Sequence, residues 1–134
     1  MKIFIIAGEP SGDEYGAKLI TALKNDSPNL SINGIGGPLM EKQGLNSMVP
    51  LNQIAVMGFG EVIKKIKFFI NLEKRILRFL KKNKPDKIIL IDYPGFNLRV
   101  AKKIKKISNI KIIYYISPQI WAWKEKRINT IKKY

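Results

Sequence analysis

Short apolar runs alternate along this chain with longer segments whose apolar positions recur every three or four residues. Ile3 to Ile6, Leu30 to Asn33, Lys87 to Ile91 and Lys111 to Ile116 are the short runs, the second being the most polar. They read as strands, and the wholly apolar centres of the first and third suit strands covered on both faces. Glu14 to Lys24, the stretch from about Gly60 to Asn83, and Leu98 to Ile107 carry helical spacing. Strands that alternate with helices predict crossover connections and a parallel sheet. The expected fold class is therefore α/β, a Rossmann-like parallel sheet with helices on both faces. No repeat, low-complexity linker or shift of composition divides the chain, so one domain is expected over residues 1–134.

Open sheets of this kind place ligands at the carboxyl ends of their strands, which directs attention to the segment after each run. The first run leads into Gly8-Glu9-Pro10-Ser11-Gly12-Asp13. Gly8 and Gly12 permit a bend and a close approach to a ligand. Ser11 and Asp13 are suited to cap the helix that follows. Glu9 lies between glycine and proline, outside any helix, where it can orient a sugar hydroxyl. The loop fits neither G-x-G-x-x-G nor the P-loop pattern. Gly36, Gly37 and Pro38 read first as a tight turn. Asp92 ends the third run; it can take a proton from a substrate hydroxyl or serve as a turn residue ahead of Pro94, and the residues alone leave both open. The fourth run precedes Ser117-Pro118-Gln119-Ile120-Trp121-Ala122-Trp123, where a tryptophan can be a sugar or acyl platform or part of the core.

The segment Glu61 to Lys84 has two faces. Val62, Ile63, Ile66, Phe69, Ile70, Ile76, Leu77 and Leu80 form a stripe expected to face the core, while lysines and arginines fill much of the remainder. Phe68, Leu72 and Phe79 widen the apolar surface beyond that stripe. The segment reads either as an ordinary crossover helix with snorkelling lysines or as a basic amphipathic surface for anionic lipid.

Composition narrows the chemistry. The chain has neither cysteine nor histidine, which removes disulfides, thiolate catalysis, zinc–sulfur sites and the commonest general base. Acid–base work falls to a carboxylate, a lysine or a tyrosine, and there are only ten carboxylates. The net charge of +15 is unevenly spread. Residues 1–60 hold four lysines against five carboxylates, and residues 61–134 hold 21 Lys or Arg against five, giving −1 and +16. Such a field attracts phosphate groups on nucleic acid, lipid or nucleotide sugar. A basic Rossmann-like nucleic-acid- or nucleotide-binding module is the rival reading, although no recognised nucleic-acid motif is present. No apolar run approaches the ~20 residues of a membrane span, and Glu9 interrupts the first run too early for a secretory signal, so a cytoplasmic location is expected.

The motifs AGEPSGDEYGAKLI, GIGGPLMEKQG, IAVMGFGEV, PDKIILIDYPGFNLRVAKKIK and YYISPQIWAWKEKRI, in this order across nearly all 134 residues, resemble those of the lipid-A-disaccharide synthases, glycosyltransferase family 19. The resemblance implies the amino-terminal half of a GT-B enzyme. Such enzymes transfer 2,3-diacylglucosamine from its UDP donor to 2,3-diacylglucosamine-1-phosphate (lipid X), with inversion and release of UDP. It implies Asp92 and Glu9 as catalytic residues, Asp92 being the general base, and Ser11, Gly12, Asp13, Asn97, Ser117 and Trp121 as substrate-binding residues. Gly95 stands where many relatives have a second aspartate. Neither a metal nor a cofactor is implied. The carboxy-terminal UDP-binding domain is expected to be absent from this chain and supplied in cis or trans, with no turnover from this polypeptide alone. Acylated substrates imply a peripheral protein on the cytoplasmic face of the inner membrane and an anionic membrane surface as partner, with no specific nucleic acid. Phe68, Leu72 and Phe79 are expected as membrane contacts whose replacement by serine raises solubility without detergent.

Overall fold

The computed structural model describes residues 1–116. Five parallel strands form one sheet, β1 (Lys2–Ala7), β2 (Ser31–Ile35), β3 (Leu45–Ser47), β4 (Lys87–Ile91) and β5 (Lys111–Tyr115), in the order β3-β2-β1-β4-β5. Five helices connect them: α1 (Pro10–Asp26), α2 (Pro38–Lys42), α3 (Leu51–Gly58), α4 (Val62–Asn83) and α5 (Pro94–Ile107). The expected α/β class, parallel sheet and two-faced helical cover are all present. Alternate residues of β1 divide the core: Ile3, Ile5 and Ala7 pack with Ile20 of α1 and Met40 of α2, whereas Phe4 and Ile6 pack with α3, α4 and α5. That division follows from the two-residue repeat of a strand.

The chain winds outward from β1 to β2 and β3, then returns past β1 to lay down β4 and β5. The direction of winding therefore reverses between β1 and β4, whose register pairs Ala7 with Ile91. This is where an open α/β sheet has a crevice at its carboxyl edge.

Three elements escaped sequence reading. β3 has three residues and α2 has five, too few for any periodicity to register, and α3 reads as apolar without a clear polar face. The long helix departs further from expectation. Its buried residues are Phe69, Leu72, Glu73, Ile76 and Leu80, whereas Val62, Ile63, Ile66 and Ile70 of the expected core stripe are exposed. Ile63 and Ile70 lie on the flank of the helix turned away from the buried residues, and length explains Val62 and Ile66. A 22-residue helix is roughly 33 Å long, and a five-residue strand is roughly 17 Å. One end must overhang, and the overhang is the amino-terminal end, beside the carboxyl edge of the sheet.

Leu72, expected at a membrane, is only 2% exposed and belongs to the core. Phe68 and Phe79 also pack on it, Phe68 edge-on to Phe69 with ring centres 5.2 Å apart and Phe79 against Phe4 at 5.4 Å. These three assignments are corrected: the side chains hold α4 to the sheet.

Glu73 is a charged residue in that interface, 1% exposed. One carboxylate oxygen accepts from Arg99 Nε at 2.6 Å, and the other is paired with Lys103 Nζ, so α4 and α5 share a buried anion between two half-exposed cations. Removing one side of a buried pair is costly because it strands the other charge. The double replacement Arg99→Met/Lys103→Met is therefore expected to cost about 3–5 kcal/mol in urea unfolding. Glu73→Met leaves two cations that can turn to water and is expected to cost less than about 1 kcal/mol; equal losses from the two variants would contradict this asymmetry.

Candidate active site

Glu9 follows Gly8 at the end of β1, and Asp92 directly follows Ile91 at the end of β4. Because Ala7 and Ile91 are register partners on adjacent strands, the fold brings the two carboxylates to one edge although 83 positions separate them. Glu9 is exposed and is the residue preceding α1, whose Asp13 N–H bonds to the Glu9 carbonyl. Asp92 is half-buried, and its carboxylate has no hydrogen-bond partner among the described residues.

The backbone between β4 and α5 is unusual. Asp92 and Tyr93 are both left-handed, with φ of 44° and 46°. Each such residue costs roughly 1–2 kcal/mol when it bears a Cβ, and an aromatic residue there is an outlier. Their surroundings offset the cost. The Asp92 carbonyl accepts two hydrogen bonds, from Tyr114 Oη at 2.6 Å and Asn97 Nδ2 at 2.8 Å. The Asp92 N–H donates to the Ile116 carbonyl at 3.3 Å. Gly8 completes the arrangement, since a Cβ there would overlap the Tyr93 ring.

Tyr93, which sequence reading passed over, lies between two clefts. One, of 370 Å³, is lined by Glu9, Lys65, Phe69, Tyr93, Phe96 and Arg99 among others. The other, of 350 Å³, shares Glu9, Lys65 and Tyr93 and adds Ser11, Ile54 and Phe59. Asp92 is not among the described residues that line either cleft; its neighbour Tyr93 lines both. Burial, and secondarily the Glu9 carboxylate, push the Tyr93 phenol above its ordinary value. The signal available in sequence was a bulky aromatic between an aspartate and a proline, facing the glycine that follows the neighbouring strand.

The other expected site residues divide. Ser11 is exposed and lines the second cleft. Gly12 is buried, and a Cβ there would lie 3.2 Å from that of Ala7, so its contribution is close packing of α1 on β1. Asp13 is 3% exposed, and its carboxylate accepts from the backbone N–H groups of Gly37, Leu39 and Met40 at 2.9–3.1 Å. It caps α2, not the helix that contains it, and its acceptors are occupied; the substrate-binding assignment is corrected to a structural one. Asn97 is 0% exposed and bonds to the carbonyls of Ile91 and Asp92, which likewise removes it from direct contact with a ligand. Ser117 and Trp121 lie outside the described residues. Among the described residues no cluster of three potential metal ligands occurs.

The model of the lipid-A-disaccharide synthetase family matches residues 3–134. The chain belongs to that family. It is 49% identical over 133 residues to the lipid-A-disaccharide synthase of Francisella philomiragia, 50% over 131 to lipid-A-disaccharide synthase 1 of Legionella pneumophila (strain Paris), and 45% over 132 to the synthase of Coxiella burnetii (strain Dugway). These matches cover 98–99% of the chain and 34–35% of each relative, so the chain spans about a third of the length of the curated relatives it matches. The five-stranded parallel sheet is the fold expected for the amino-terminal part of a member of this family.

Two outcomes test this geometry. Asp13→Ala strands three backbone donors, two of them in buried bonds, and is expected to cost about 2–4 kcal/mol in urea unfolding, without changing its slope. In a spectrophotometric titration, Tyr93 is expected to ionise above the ordinary tyrosine range, and Tyr93→Phe removes that late component. A folded pKa raised above the unfolded value stabilises fully below about pH 10 and loses that contribution as pH rises through the folded value. The parent is accordingly expected to lose more stability above pH 10 than Tyr93→Phe.

Proposed function

We propose that this chain forms the acceptor side of a lipid-A-disaccharide synthase. The reaction is transfer of 2,3-diacylglucosamine from UDP to 2,3-diacylglucosamine-1-phosphate, with UDP released. The observation that carries the proposal is that Glu9 and Asp92 follow β1 and β4, the strands between which the winding reverses, while Tyr93, next to Asp92, lines both clefts with Glu9. Asp92 accepts the proton of the acceptor 6-hydroxyl as that oxygen attacks the anomeric carbon. The bond from that carbon to the UDP oxygen breaks on the opposite face, which inverts the centre. Glu9 accepts a hydrogen bond from a sugar hydroxyl, and Tyr93 supplies a flat apolar wall with a hydroxyl at its edge. Charge on the leaving UDP is met by a second domain, in cis or trans, and no metal enters the scheme.

The overhang of α4 supports a peripheral position on the membrane. Phe59, Val62, Ile63 and Ile66 are 95%, 70%, 68% and 52% exposed, and Lys64, Lys65 and Lys67 are exposed among them. None of the described helices is long and apolar enough to cross a membrane. A contiguous apolar surface with a basic rim suits the headgroup boundary of an anionic leaflet. Each lysine near that surface contributes about 1 kcal/mol. We place this contact on the cytoplasmic face of the inner membrane, where the acylated substrates of the resemblance lie.

The catalytic test uses a hybrid in which this chain replaces the matching segment of the Francisella philomiragia relative. UDP release that needs both acylated sugars is expected, and Asp92→Asn is expected to lower kcat by about 10²–10⁴-fold with folding intact by circular dichroism. Release within threefold of the parent would refute the base. For the membrane contact, Phe59→Ser/Val62→Ser/Ile63→Ser/Ile66→Ser is expected to move the protein from phosphatidylglycerol vesicles to the supernatant without loss of stability. Phe68→Ser/Leu72→Ser/Phe79→Ser is expected to unfold it instead. Undiminished vesicle recovery of the first variant would count against the contact.

A further inference from the structure

The Asp92 carboxylate accepts no hydrogen bond from any described residue, so its direction is set by its own backbone. That backbone is left-handed, and two side chains converge on its carbonyl oxygen from different elements, Asn97 from α5 and Tyr114 from β5. We propose that Asn97 and Tyr114 are positioning residues that act through Asp92, holding residues 92 and 93 left-handed so that the Asp92 carboxylate meets the substrate in a fixed direction. The proposal rests on Asp92 being the general base.

Asn97 fits this role and no other on view. Its side chain is wholly buried, so it cannot touch a sugar, and its Oδ1 has no partner among the described residues. An unpartnered buried acceptor is costly. It is tolerated here beside an Nδ2 that reaches the carbonyls of Ile91 and Asp92 together, at 3.3 and 2.8 Å. Those are the last residue of β4 and the first residue beyond it. Aspartate would set a carboxylate against both carbonyls, and serine is too short to span them. Tyr114 closes the second lone pair of the Asp92 carbonyl, and Gly8 leaves room for the ring that the left-handed turn delivers. If residue 92 relaxed to an extended conformation, β4 would run on by one residue and the carboxylate would leave the sheet in another direction.

The test uses the hybrid enzyme with Asn97→Ser and Tyr114→Phe, each alone and each in the Asp92→Asn background. Tyr114→Phe removes a single hydroxyl and keeps the ring, which guards against a folding failure. Each single variant is expected to lower kcat about ten- to a hundredfold with KM for both sugars within about twofold, because misplacement of a base by about 1 Å is enough for that loss. In the Asp92→Asn background the same replacements are expected to change the residual rate less than about twofold, since nothing remains to be aimed. A loss by the same factor in both backgrounds overturns the proposal and leaves a structural role. A parental kcat in both single variants, with Asp92→Asn inactive, overturns it while the general base stands. Parental kcat in Asp92→Asn removes the base and the positioning together.

Discussion

Strand β4 ends by forcing two successive side-chain-bearing residues, Asp92 and Tyr93, into a conformation that L-residues resist. Features of the carboxyl edge are arranged around this turn. Gly8 is bare because the Tyr93 ring occupies its space. Asn97 is buried because its amide closes the turn from beneath. α5 begins with proline directly after Tyr93, and the Tyr93 carbonyl receives the Asn97 N–H as the helix starts. Strain of this kind persists only where the surroundings over-determine it, and it gathers where a side chain must be presented in one direction.

A second constraint is one of length. The sheet is short, and α4 must still carry the chain from its carboxyl edge to the start of β4. The helix spans more than the sheet can cover, and the surplus turns carry Val62, Ile63 and Ile66 into the open beside the clefts that contain Glu9 and Tyr93. Lys65 lines both clefts and belongs to the overhang, so the exposed apolar surface and the clefts share a wall. On the proposed reading, an acylated sugar keeps its chains at the first while its hydroxyls enter the second.

Four of the five strands, the parallel sheet and the edge that Glu9 and Asp92 share were legible in the sequence, most plainly at β1 and β4, where an apolar run followed by glycine or aspartate carries both strand and exit in local terms. Other features were not. The periodicity of residues 62–80 is continuous, so it could not reveal where the sheet beneath it stops; Val62 and Leu80 share one face of the helix at 3.6 residues per turn, yet they are 70% and 2% exposed. Asp13 looked like a cap for its own helix, yet its partners are Gly37, Leu39 and Met40, more than 20 positions away. Nothing local to Asp13 distinguishes those bonds from a cap. Asn97 belonged to a motif that pointed to ligand binding, and only the burial of its amide turned it inward.

The carboxylates of the described residues give an independent reason to look at Glu9 and Asp92. Asp13 is held by three backbone amides, Glu73 by Arg99 and Lys103, and Asp86 by the backbone N–H of Lys2. Glu14 and Glu61 pair with lysines one turn along their helices. Asp26 closes α1, which runs back from the carboxyl edge, and Glu41 lies on the short helix beside the edge strand β3. Of the four carboxylates without a hydrogen-bond or ion-pair partner among the described residues (Glu9, Asp26, Glu41 and Asp92), only Glu9 and Asp92 stand at the ends of the two strands between which the winding reverses. In a domain whose charge is so strongly positive, two carboxylates left unpaired at that point are poorly explained by stability, since cations to neutralise them are plentiful. Their freedom is what a proton acceptor and a hydroxyl-binding group require.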